Sequence, residues 1–281
     1  MLKEALVRPM DIGTLGTLGL YSLSTAAYIA YLFVQKKALQ RYGLWLLSAG
    51  FIVHTLSIGY RAFTTGHLPV NTLRDTLSFA GWALAGVFLL FHYRYRLKIL
   101  GIFAAPLATA VMVVVASMPA TTMAAKPMFK SFWLISHVTF IFIGEASLAL
   151  ACGLGVLYLT QEKAIKSKKP GFFFRRLPSL DQLDSAGYSC ILGGFLMMTL
   201  GLILGVVYAK AVWGRFWSWD PKEVWSGITW LLYAGMIHMR LSVGWRGRRS
   251  AIMAILGFAT VMFTFLGVNL LLSGHHGEFT R

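Results

Sequence analysis

Long apolar runs separated by short polar connections dominate the chain. Eight are legible: Gly13–Val34, Gly43–Arg61, Thr72–Phe91, Ile99–Ser117, Phe132–Leu159, Ser185–Tyr208, Pro221–Met239 and Ala251–Leu272. A helix rises 1.5 Å per residue, so a run of about 20 residues crosses a hydrocarbon core of ~30 Å. The pattern predicts an all-α, polytopic membrane helix bundle with about eight transmembrane helices. The fifth run is the longest and should tilt or protrude at its outer end. The connections carry helix punctuation. Ser179-Leu-Asp-Gln182 reads as a capping box opening the sixth helix, and Asp220-Pro221-Lys222-Glu223 as the N-cap, first and third positions of the seventh. With no internal repeat, low-complexity stretch or soluble segment, residues 1–281 read as a single integral membrane domain.

Composition agrees with that reading. Hydrophobic residues make up 57% of the chain and charged residues only 13%, about half the 25% usual in soluble domains. Charge placement then sets orientation. Sixteen of the 26 Lys and Arg fall in the connections after the first, third, fifth and seventh runs. By the positive-inside rule these are cytoplasmic, which puts both termini outside. The net charge of +16 is spread over short loops between spans. It favours contact with anionic membrane lipid and speaks against nucleic acid, which wants a basic soluble face. Cys152 and Cys190 lie inside apolar runs with no Cys-x-x-Cys, which excludes thiol–disulfide chemistry of that kind. Lys3 and Arg8 are not followed by a short apolar run with a small-residue cleavage site, so the first span is expected to stay in the mature protein.

One outer connection stands apart: Trp213-Gly-Arg-Phe-Trp217-Ser-Trp219-Asp220-Pro221-Lys-Glu223-Val-Trp225. Five of the nine tryptophans lie between Trp213 and Trp230. Tryptophan is favoured at the headgroup level, so an interfacial belt is one reading. A flat aromatic platform for a large planar apolar ligand is the other. Asp220 and Glu223 already have roles as helix caps. Three histidines share the outer side with this segment: His137 at the start of the fifth run, and His275 and His276 just past the eighth. Histidines at matching depth beside an aromatic wall suit axial ligation of haem iron.

Residues 213–240 (WGRFWSWDPKEVWSGITWLLYAGMIHMR) resemble the WWD domain of haem-handling proteins in cytochrome c assembly. The whole chain resembles the CcsA/ResC type of system II. Supporting matches are the eight spans, Gly66-His67-Leu-Pro69 with Asn71 before the third, His137 before the fifth, and the ending Gly267-Val-Asn269 to His276. The likeness covers residues 40 to 277. It implies haem b held at the outer face by two histidines, here His137 and, by register, His276. The family's Gly-x-His-Ser-Tyr ending is Gly274-His275-His276-Gly277-Glu278 in this chain, so His275 stays a competing ligand. Trp213, Trp217, Trp219 and Trp225, with Asp220, would form the cofactor-binding wall.

The resemblance further implies that His238, near the inner end of the seventh run, meets haem on its route from the cytoplasm. The opposite histidine would come from a CcsB/ResB-type membrane partner. His54 and His92 read as a packing and an interfacial residue, and His67 as support for its loop. The implied function is haem delivery and attachment: the haem-binding subunit of a cytochrome c synthase, or haem lyase, complex. It would present haem to the Cys-x-x-Cys-His of apocytochrome c for thioether formation. Arg215 and Lys222 are candidate partners for a haem propionate. The setting would be the bacterial inner (cytoplasmic) membrane or an equivalent thylakoid membrane. Two other readings use many of the same residues: a haem exporter or chaperone without synthase activity, and a b-haem electron-transfer protein.

Overall fold

A computed structural model describes residues 2–95, 98–119, 131–167, 171–172 and 176–271. His275, His276 and most of the expected outer connection Met118–Ser131 lie outside the described residues. Among those described, regular structure is wholly helical. The helices are α1 (Leu2–Val34), α2 (Lys37–Thr65), α3 (Leu73–Tyr95), α4 (Gly101–Ser117), α5 (Phe132–Lys166), α6 (Leu180–Trp213), α7 (Pro221–Ser242) and α8 (Arg248–Met262). α8 passes through a π-helical turn, Phe263–Gly267, into the short α9 (Val268–Leu271). Each expected apolar run therefore has its helix. Six are long and apolar enough to cross a membrane. α4 is apolar but has 17 residues, and α7 has 22 with Lys222, Glu223, His238 and Arg240 towards its ends. The protein is an integral membrane protein of the polytopic helical kind.

The chain divides into two compact units, the boundary falling between Ile135 and Ser136 inside α5. In the first unit, the buried positions of α1 are Thr17, Tyr21, Ser24 and Tyr28. Those of α2 are Gln40, Gly43, Leu47, Gly50 and His54. Both sets recur at alternating three- and four-residue spacing, the seam that lets two helices interlock. Lipid tails are as apolar as leucine, so close fit and hydrogen bonds drive such packing. Tyr21 fills the space at Gly50, where an added Cβ would come within 2.6 Å of its ring. Tyr28 does the same at Gly43 and Gly101. The Ser24 hydroxyl donates to the Gly43 carbonyl at 2.7 Å.

Histidines of this unit take structural places. His54 is buried, with Nδ1 3.4 Å from the Tyr21 hydroxyl and Nε2 2.9 Å from the Ser78 hydroxyl. It ties α1, α2 and α3 together. His67 holds its own loop through the Leu68 carbonyl (3.0 Å) and the Asn71 amide (3.2 Å). His92 is buried, its ring 5.8 Å from that of Phe88. It is a packing residue, not an exposed interfacial one. Arg61 and Asp75 form an ion pair at 2.6 Å with both side chains largely buried.

The second unit is built on close approach of α5 and α6. An added Cβ at Gly144 would lie 3.0 Å from the Gly194 carbonyl oxygen and the Met198 nitrogen, and one at Gly201 would lie 2.7 Å from Ile141. α8 approaches α5 just as closely, since a Cβ at Gly155 would fall 2.7 Å from the Ala251 carbonyl oxygen. α7 joins α6 through Trp230, whose indole N–H donates to the Thr199 hydroxyl at 2.9 Å. The basic end is stapled by Asp184, which takes both arms of the Arg240 guanidinium (3.0 and 2.8 Å) and the Gly247 N–H (2.8 Å). One carboxylate thus ties together α6, α7 and the start of α8. At the head of α6, Ser179 accepts from the Gln182 N–H at 3.3 Å, as the cap signal anticipates.

The glycines differ in what they face. At Gly193 nothing lies within 4 Å of an added Cβ. Gly193→Ala is therefore expected to stabilise the helix by up to about 1 kcal/mol. Gly155→Ala, meeting backbone, is expected to lower the thermal unfolding temperature in detergent. Equal effects of the two substitutions would contradict this packing.

Candidate functional site at the tryptophan-rich end of the second unit

The tryptophan segment opens where α6 must stop. Gly214 sits at φ +73°, a left-handed position that glycine adopts without a Cβ clash, and its N–H closes the helix on the Lys210 carbonyl. Lys210 then folds over the turn, its ammonium donating to the Gly214 carbonyl at 2.7 Å and lying 5.2 Å from the Phe216 ring centre.

Glu223 shapes the loop between Phe216 and α7. Its carboxylate accepts from the Ser218 N–H (2.8 Å), the Ser218 hydroxyl (2.9 Å) and the Asp220 N–H (3.3 Å). Asp220, 4% exposed, caps α7 by accepting from the Lys222 N–H at 2.9 Å, which completes a reciprocal capping box. The two N–H groups held by Glu223 flank Trp219. That residue has φ +59°, a left-handed conformation a bulky side chain adopts only when its surroundings impose it. The Trp219 ring is 78% exposed as a result. The two acidic residues are cap and latch, as the spacing implied, and Asp220 acts on the wall through the loop it holds.

The tryptophans fall into two kinds. Trp213 and Trp225 are anchored: Trp213 lies edge-on to Tyr208 (6.3 Å) and Trp225 to Phe263 (4.5 Å) in the π-helical turn. A π turn admits one extra residue per turn and so rotates Phe263 relative to a regular helix; such turns often sit at functional sites. Trp217 and Trp219 project, 42% and 78% exposed, and meet edge to face at 88°. The wall is thus stepped, with its rings at right angles, rather than one flat platform.

His137 is the best-defined of the candidate side chains. Its Nδ1 lies 2.7 Å from the Gly201 carbonyl oxygen. A carbonyl accepts only, so Nδ1 carries the proton and Nε2 is the basic nitrogen. This is the arrangement in which a neighbouring carbonyl orients a metal-binding imidazole. The ring fits because residue 205 is glycine: a Cβ there would stand 2.7 Å from Nδ1 and Cε1. Helix register relates the histidine to the loop. Thr199 of α6 is level with Trp230 of α7. At 1.5 Å per residue Gly205 lies about 9 Å and Pro221 about 13 Å towards the loop from that level, so α7 begins roughly one turn beyond His137.

Three further expected residues differ in exposure. His238 is exposed on the flank of α7, and Arg215 is exposed in the loop. Lys222 is half-buried. Sequence reasoning missed Gly201 and Gly205, whose seven- and eleven-residue offsets from Gly194 were a helical-stripe signal.

A helical membrane bundle with a latched aromatic loop and an oriented histidine defines the class as a polytopic membrane protein. Comparison gives the family. A profile described as cytochrome C assembly protein matches residues 70–276, and the chain belongs to that family. It is 31% identical to the cytochrome c biogenesis protein CcsA of Synechococcus sp. (strain CC9605) over 95% of this chain and 97% of the relative. It is 36% identical to the CcsA of Prochlorococcus marinus (strain MIT 9312) over 79% of each. Among solved structures, the cytochrome c heme lyase CcmF superposes with a TM-score of 0.61 at 14% identity. That match covers 97% of this chain and 46% of the other, and it shows shared fold alone. The protein is a membrane protein that serves c-type cytochrome assembly.

Glu223 gives a direct check on the loop. Glu223→Ala removes three hydrogen bonds and is expected to cost about 1–2 kcal/mol, the scale of a lost helix cap. It should also change tryptophan emission, while Glu223→Gln retains part of both. An unchanged emission spectrum in Glu223→Ala would show that the latch does not hold Trp219.

Proposed function

We propose that this chain holds haem b at the outer membrane face between His137 and His276 and presents it to apocytochrome c. The observation that carries the reading is the orientation of His137, with its Nδ1 proton committed to the Gly201 carbonyl in a notch that only glycine at position 205 leaves open. The residues fit haem in kind as well: a basic imidazole nitrogen and projecting indole faces in an apolar setting.

The division of labour follows from the residues. His137 supplies one axial nitrogen, and His276 the other, with His275 as its competitor. Trp213 and Trp225 brace the wall. Trp217 and Trp219 offer indole surface, and Asp220 and Glu223 keep those rings projecting. Arg215, exposed beside them, is placed to meet a propionate carboxylate. Haem, when bound, supplies vinyl groups across which the two cysteine S–H bonds of a Cys-x-x-Cys-His peptide add to give thioethers. The contribution of the chain is proximity and orientation rather than a protein nucleophile. His238, exposed on α7, is offered to haem in transit, opposite a histidine of a CcsB/ResB-type membrane partner. Both termini and the tryptophan loop lie outside, in a bacterial cytoplasmic or thylakoid membrane.

Purified protein is expected to show the absorption spectrum of a low-spin, bis-histidine haem. His137→Ala should abolish it, and Gly205→Ala should weaken haem affinity by about 10–100-fold, the usual effect of disturbing a group that orients a ligand. Comparing His275→Ala with His276→Ala identifies the second ligand. Absence of haem from the wild type, or indifference to His137→Ala, would overturn the proposal. Co-expression with partner and apocytochrome then separates attachment from export. Haem-loaded protein that yields no covalent cytochrome under any partner condition would assign export alone.

A further inference from the structure

Three consecutive side chains of the π-helical turn Phe263–Gly267 reach two different helices of the second unit. Phe263 meets the Trp225 ring of α7 at 4.5 Å between centres and 60° between planes. Thr264 is buried, and its hydroxyl lies 3.0 Å from that of Thr229, which is buried on α7. Phe265 meets the buried ring of Phe142 on α5 edge-on, at 5.6 Å and 84°. Phe142 stands five residues after His137, about 8 Å along the same helix. The turn thus touches both the helix that begins at the tryptophan loop and the helix that carries the histidine.

The backbone of the turn makes this possible. The Val268 N–H donates to the Phe263 carbonyl, five residues back. Such a turn is wider than an α turn, so each residue is rotated less from the last. Phe263 and Thr264 can then both face α7. Gly267 completes the arrangement: a Cβ there would stand 2.6 Å from the Phe263 ring, which lies over the bare glycine. The threonines close it. The Thr229 hydroxyl lies 2.8 Å from the Trp225 carbonyl oxygen, and that of Thr264 2.9 Å from the Thr260 carbonyl oxygen. Each hydroxyl has one proton. With one threonine donating to the other, the second is left to donate to one of those carbonyls. Where water drives no association, a buried hydroxyl pair of this kind specifies how two helices meet. We propose that Phe263, Thr264, Phe265 and Gly267 are positioning residues: the π turn locks Trp225 on α7 to Phe142 on α5 and thereby sets the tryptophan wall in register with His137.

The hold on Trp225 stands by itself, whereas its use for haem rests on the function proposed above. The test uses the full-length protein in detergent or nanodiscs. Thr264→Val keeps the shape of the side chain and removes the hydroxyl, Thr264→Ser keeps the hydroxyl, and Gly267→Ala crowds the Phe263 ring. Tryptophan emission of haem-free protein should shift in Thr264→Val and Gly267→Ala and stay near wild type in Thr264→Ser. In a Trp225→Phe background the first two substitutions should leave emission unchanged. A shift that persists without Trp225, or no shift with it, would overturn the hold. Should Gly267→Ala fail to fold, Thr264→Val carries the comparison alone.

Haem-loaded protein then reports the register. Its midpoint potential and absorption maximum should move in Thr264→Val, Gly267→Ala and Phe265→Leu, and stay near wild type in Thr264→Ser. Asp184→Asn, which breaks the staple at the basic end of the same unit, should lower the unfolding temperature without moving either. A shift in emission with no shift in potential or spectrum would overturn the positioning role. A silent Phe265→Leu would overturn the link to α5. If no preparation carries haem, the proposed function fails, while the emission comparison still decides whether the turn holds Trp225.

Discussion

The close approach of α5 and α6 is the constraint on which the candidate site depends. Water drives no helix association inside a bilayer, so the two helices are held by backbone contact at Gly144, Gly194 and Gly201. That approach brings the Gly201 carbonyl within 2.7 Å of His137 and leaves room for its ring over Gly205. Were the helices separated by ordinary side chains, the carbonyl would be out of reach and the imidazole free to turn. Packing and imidazole orientation are here the same contact.

The tryptophan loop obeys a different logic. Its rings could satisfy themselves by lying flat at an interface, and two do fold back onto Tyr208 and Phe263. The other two are displayed because the backbone between Ser218 and Asp220 is pinned by one carboxylate. The left-handed conformation of Trp219 stores strain of order 1–3 kcal/mol. Three hydrogen bonds to Glu223 and the Asp220 cap offset it. A strained bulky residue held by a dedicated latch points to surface that is used, since an unstrained belt would serve for anchoring alone.

Two largely buried charge pairs stand out among the described residues. Arg61 with Asp75 in the first unit, and Asp184 with Arg240 in the second, join helices at polar ends where a lone charge would be costly. Histidine is divided similarly by surroundings. His54 has a hydrogen-bonding neighbour at each ring nitrogen and serves packing, and His67 braces its own loop. His238 stands exposed on α7.

Much of this was legible in the order of residues. Helix number, the caps at Ser179 and Asp220 and the clustering of the tryptophans follow from period, punctuation and composition, because these are local properties of the chain. The family likeness rests on the same contiguous motif. What only the tertiary structure decided are relations between distant segments. These include the Gly201 carbonyl on His137, the glycine notch at position 205, the edge-to-face step of Trp217 and Trp219, and the π turn behind Trp225. A helix declares its own period and ends. Its partners, and the ångström at which they meet, are settled only when the side chains of several helices compete for the same space.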